Sequence, residues 1–78
     1  KWLVIMAQHN KMNGSFEREI HTYMSDSLKA QVWTTTEGHF GCRFWKDNIW
    51  LKDEIYKGHS EQYAEDAADN YVLGVKTI

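Results

Sequence analysis

The stretch HSEQYAEDAADNYVLGV, residues 59–75, has the period of an amphipathic helix, and the composition of its two sides limits what the rest of the chain can build. Ser60 suits the N-cap, and Glu61, Glu65 and Asp66 follow where the helix dipole favours negative charge. Tyr63, Ala64, Ala67, Ala68, Tyr71, Val72 and Val75 fall on one face, and Gly74 suits a C-terminal cap, so a helix is expected over residues 60–74. A stripe with alanine at its centre allows close approach to a flat neighbour. The opposite face, Glu61, Gln62, Glu65, Asp66, Asp69 and Asn70, is expected to be solvated; mimicry of a polyanion for a basic partner is the less favoured reading. One such helix covers only one face of a sheet.

The remaining segments supply that sheet. QVWTTT is β-branched and aromatic, and Glu37-Gly38 can turn it into HFGCRFW. Lys46-Asp47-Asn48 can turn that strand into IWLKDEIY, which Gly58 ends. Upstream, KWLVIMAQ is apolar on both sides, as in a strand buried on both faces, and Asn13-Gly14 is a strong hairpin signal. Its partner would be SFEREIHTYM, with Phe16, Ile20 and Met24 on one face. A period of four also fits a helix over residues 15–28 capped by Ser15. The Asn-Gly turn and the run His21, Thr22, Tyr23 favour the strand. The expected fold is α+β: a mainly antiparallel meander of four or five strands with one C-terminal amphipathic helix on one face, and a possible extra helix at 15–28.

Composition bounds the rest. With 78 residues, residues 1–78 are expected to form one small domain near the lower size limit for an unassisted core. Cys42 is the only cysteine, so no internal disulfide can form and oligomerisation becomes the expected support. No apolar run nears the ~20 residues that span a bilayer, and WLVIMA is too short for a secretory core, so a cytoplasmic protein with no membrane partner is expected. A net charge of −2, with acids concentrated after residue 52, argues against a general nucleic-acid binder. Small, proline-free, aromatic-rich, mildly acidic chains suggest accessory proteins of phage type, although no residue motif carries that impression.

Strand parity then divides the sheet. Val32, Thr34, Thr36, Phe40, Cys42, Phe44, Ile49, Leu51 and Ile55 are expected to face the helix. Trp33, Arg43, Trp45, Trp50, Lys52, Glu54 and Tyr56 are expected on the other face. Three tryptophans and a tyrosine interleaved with Arg43 and Lys52 make an unusual surface for a small domain, and Trp33, Arg43, Trp45, Trp50, Lys52 and Tyr56 are the candidate partner-binding residues. The favoured reading is a subunit interface, as in a homodimer, or a second layer supplied by residues 16–28. Recognition of another protein comes next. The alternative is a platform stacking the bases of single-stranded nucleic acid, which lacks any RNP-like motif here.

Chemistry is otherwise sparse. His39 and Cys42 have H-x-x-C spacing, but no second ligand pair accompanies them, and no metal or cofactor is expected. There is no G-x-S-x-G, phosphate-binding glycine loop or H-E-x-x-H. Glu17 and Glu19 flank Arg18 in a pattern that surface pairing explains. The chain is expected to be a non-enzymatic interaction protein.

Overall fold

The structure, a computed structural model, describes residues 14–78. It contains β1 (Phe16–Ser25), β2 (Leu28–Thr35), β3 (Phe40–Lys46), β4 (Ile49–Tyr56) and α1 (Glu61–Val72). The strands form one antiparallel meander in the order β1-β2-β3-β4. This is the expected α+β architecture. Residues 16–25 are a strand, so the helix considered for 15–28 does not form, and that segment extends the sheet rather than laying a second layer over it. The strand expected over residues 1–8 and the Asn13 half of the proposed turn lie outside the described residues.

Short turns fix the meander. Asp47 and Asn48 link β3 to β4 with φ of 52° and 65°, the left-handed pair of a tight hairpin that Asp and Asn tolerate best among side-chain-bearing residues. At the other end of the fold, Ser60 caps α1 by accepting from the Tyr63 N–H at 3.3 Å. Gly74, at φ 83°, stops the helix and lets the Val75 N–H return to the Asn70 carbonyl at 2.9 Å.

The core lies between α1 and the centre of the sheet. Ala30 and Val32 of β2, Cys42 and Phe44 of β3, and Ala64, Ala68, Tyr71 and Val72 of α1 are all buried. The alanines permit contact at backbone range: the Cys42 thiol donates to the Ala64 carbonyl at 3.1 Å. Tyr71 closes one end, its ring edge-on to Phe44 at 4.9 Å and its hydroxyl donating to the Trp45 carbonyl at 3.1 Å. The buried stripe is narrower than the period implied. Tyr63 is exposed, and Val75 lies beyond the Gly74 stop and outside the helix.

Bulges revise the parity. In the β3–β4 pair, Phe44 faces Lys52 but Trp45 faces Trp50, so Leu51 is an extra residue. Beyond it the alternation inverts. Lys52, Glu54 and Tyr56 stand on the helix side, opposite Phe44, Cys42 and Phe40, and Asp53 and Ile55 take the tryptophan side. The expected membership of Lys52, Glu54 and Tyr56 in the tryptophan face is therefore corrected, as is the placement of Leu51 and Ile55 against the helix. β1 carries two further irregularities, which leave Glu17 and Ile20 without partners across the strand. Ile20 packs on the core, whereas Phe16 and Met24 turn to the tryptophan side, so those three residues do not share a face.

Candidate functional site

The face opposite α1 is an aromatic array organised around one ion pair. Arg43 stands in the middle of β3 and Asp53 directly across from it on β4. Arg43 Nε donates to Asp53 Oδ1 at 3.0 Å and Nη2 to Oδ2 at 3.2 Å, the two-pronged geometry that matches a planar guanidinium to a carboxylate. Their side chains are only 11 % and 6 % exposed. Aromatic rings provide much of that shielding. The Arg43 guanidinium carbon lies 5.0 Å from the Trp33 ring centroid and 5.1 Å from that of Phe16. Phe16 and Trp33 stack on each other at 5.9 Å, nearly parallel at 10°.

Two of the tryptophans are pinned by their indole nitrogens. Trp50 donates to Asp53 Oδ1 at 2.8 Å, so one carboxylate oxygen serves both Arg43 and Trp50. Trp45, across from Trp50, donates to Gln31 Oε1 at 3.0 Å, and the Lys29 ammonium sits 4.4 Å above its ring centroid. The Trp33 indole N–H, by contrast, is buried with no acceptor among the described residues, a condition that typically costs about 1–3 kcal/mol. Trp33, Trp45 and Trp50 are each partly exposed. Rings held by fixed polar contacts lose little freedom when they bind something.

Gly41 makes room for this packing. A Cβ there would lie 2.8 Å from a Phe16 ring carbon and 2.4 Å from the Glu54 carbonyl oxygen. Only glycine lets Phe16 lie flat beside Trp33 while β3 and β4 keep their spacing.

Of the candidate residues named from sequence, Trp33, Arg43, Trp45 and Trp50 are brought together. Lys52 and Tyr56 are not. Tyr56 joins a polar group at the edge of the core, donating to Glu54 Oε1 at 2.7 Å, while Lys52 and Lys76 lie 3.3 and 3.4 Å from the two Glu54 oxygens. Burial alone would raise the Glu54 carboxyl, but the Tyr56 hydrogen bond and the two lysines hold it below its ordinary range. Phe16, Lys29, Gln31 and Asp53 are members of the array that sequence reasoning missed. An arginine centred among aromatic strand residues needs an acid, and Asp53 is a mid-strand acid of the kind strands disfavour. That signal was present in the sequence.

On the helix side, Cys42 is no ready nucleophile. Burial pushes the Cys42 thiol up to about 12, where almost no thiolate exists near neutrality. His39 is not its partner, because the thiol donates to the Ala64 carbonyl. Among the described residues no helix is long and apolar enough to cross a membrane. The chain matches no protein-family model, no curated protein and no solved structure.

Proposed function

We propose that this chain is a non-enzymatic interaction protein that binds through its tryptophan face, with a second copy of itself as partner. The observation that carries the reading is the array of Phe16, Trp33, Trp45 and Trp50 fixed around the Arg43–Asp53 pair. Tryptophan and arginine are the residues on which protein interfaces concentrate their energy, and pre-ordered rings bind at low entropic cost. No described element packs on that face, because α1 and Lys76 both lie on the Phe44 side. A small domain without disulfides gains most from such burial, at ~25 cal/mol per Å² of apolar area. The single reduced cysteine fits work in the cytoplasm.

The charge on the array favours protein over nucleic acid. Asp53 matches Arg43, and Lys52 stands on the other face, which leaves Lys29 over Trp45 as the array's remaining cation among the described residues, too little charge to track a phosphate backbone.

Light scattering on the full chain should give twice the 9.2 kDa chain mass. Trp45→Ala and Trp50→Ala should shift that mass to the monomer while circular dichroism stays folded. Leu73→Ala, exposed on the helix side, should leave the dimer intact. A monomer whose tryptophan fluorescence responds to single-stranded oligonucleotide, with affinity falling steeply in salt, would overturn the proposal in favour of base stacking. A monomer that binds neither would overturn the homodimer.

A further inference from the structure

Away from the tryptophan face, a second group of side chains joins the edge strand β1 to the first two turns of α1. The irregularity at Ile20 sets His21 and Tyr23 on the helix side, opposite Val32 and Ala30. Glu61 and Glu65 are one helical turn apart and therefore share a face of α1. His21 Nδ1 lies 2.7 Å from Glu65 Oε2, and the Tyr23 hydroxyl donates to Glu65 Oε1 at 2.6 Å. The Glu61 carboxylate completes the group: one ligand-capable atom from each of His21, Glu61 and Glu65 lies within 4.8 Å of the others.

Two carboxylates so close repel unless something positive lies between them. His21 and the Tyr23 hydroxyl already stand against Glu65, one on each carboxylate oxygen. An imidazole, two carboxylates and a hydroxyl orienting one of those carboxylates are the donor types that metal sites use as ligands and as supports of ligands.

We propose that His21, Glu61 and Glu65 bind one divalent first-row transition cation, with Zn²⁺ the representative ion, and that the ion ties β1 to α1. A mixed nitrogen and oxygen donor set suits this class, whereas Ca²⁺ and Mg²⁺ favour oxygen alone. Zinc bonds of ~2.0–2.2 Å place tetrahedral donors roughly 3.3 Å apart. Opening the 2.7 Å His21–Glu65 contact to that spacing needs only small rotations, and the His21 side chain is 56 % exposed and free to make them. Tyr23 occupies Oε1 of Glu65, which leaves Oε2 for the ion and fixes the carboxylate's orientation. Three protein ligands leave a fourth position for water, so the site would be open rather than sealed. The His39–Cys42 spacing offers no competing site, since the thiol is buried and donates to the helix backbone.

Titration calorimetry of the full chain with ZnCl₂, in a buffer that does not chelate zinc, tests this directly. One ion per chain and a rise in melting temperature are expected, with neither effect from CaCl₂ or MgCl₂. His21→Ala and Glu61→Gln should each weaken binding by at least about tenfold, and Tyr23→Phe by about that factor through loss of orientation. Glu61 is exposed, so its variant folds whatever the role of the site. Absence of zinc binding would overturn the proposal. So would zinc binding left unchanged by both His21→Ala and Glu61→Gln, which would assign the ion to another histidine. Neither result bears on the dimer, which uses the opposite face.

Discussion

On the helix side of the sheet mostly small residues pack at backbone range around Phe44 and Tyr71; on the other side the residues are large and touch one another. Ala30, Val32, Cys42, Ala64 and Ala68 are wholly buried, and their packing leaves no room for a change of partner. Phe16, Trp33, Trp45 and Trp50 remain partly exposed and are held by hydrogen bonds, ring stacking and an ion pair instead of by a covering layer. Close packing of small groups gives stability and little else. Wide rings pinned at their polar ends keep apolar area in reserve, already shaped. The first side holds the fold, and the second leaves ordered apolar area exposed, which is what the proposed interface would use.

The strongest way to break this contrast is to compare Phe44→Ala with Trp50→Ala. Phe44 is fully buried, and its truncation should lower unfolding free energy by about 3–5 kcal/mol in urea titrations. Trp50→Ala should lose only about 1–2 kcal/mol of the monomer's own stability, mainly its bond to Asp53, when both chains are compared at concentrations too low for dimers. Equal losses would mean that the two faces are not different in kind. A smaller effect sharpens the helix side: Ala68→Leu should destabilise by about 1–3 kcal/mol through overpacking, while its exposed neighbour Asp69→Ala should change stability by less than about 0.5 kcal/mol. If the pair behaves alike, the alanine stripe is not the contact.

The last expected effect is a slope. The Cys42 thiol is raised to about 12 in the fold and ionises near ~8.5 when unfolded. A raised folded value stabilises fully below the unfolded one and loses that contribution as pH climbs toward the folded one. Urea midpoints should thus decline from about pH 8.5 upward, by at most about 2 kcal/mol at pH 10, and Cys42→Ala should flatten that decline. An unchanged slope in the variant would place the thiol in contact with water.

The fold was legible because its punctuation is chemical. Asp47-Asn48, Gly58, Ser60 and Gly74 each stand where a left-handed turn, a cap or a stop is required, and the structure uses all four. Bulges have no such spelling. IWLKDEIY alternates acceptably in either phase, and Leu51 fits a core-facing position as readily as a bulge. The central parts of the site that depend on β2 and β3 alone, Trp33, Arg43 and Trp45, were therefore found. Asp53 was missed and Lys52 and Tyr56 were misplaced, all three lying beyond the same extra residue. The proposed Zn²⁺ ligands were hidden for a related reason. His21 is distant in sequence from Glu61 and Glu65, and only the register of β1 brings it beneath the helix.

Leu51 also gives β4 an unusual grammar. It stands outside the ladder, so removing it would leave Trp45 opposite Trp50, Phe44 opposite Lys52 and Asp53 opposite Arg43 in one regular strand. Drawing it into the ladder is the damaging change, because every residue beyond it would then slip by one partner and cross to the other side. Arg43 would lose its carboxylate at the same moment that the core edge lost its phenol. Loss of Leu51 is therefore silent for both faces, whereas its pairing revises both at once.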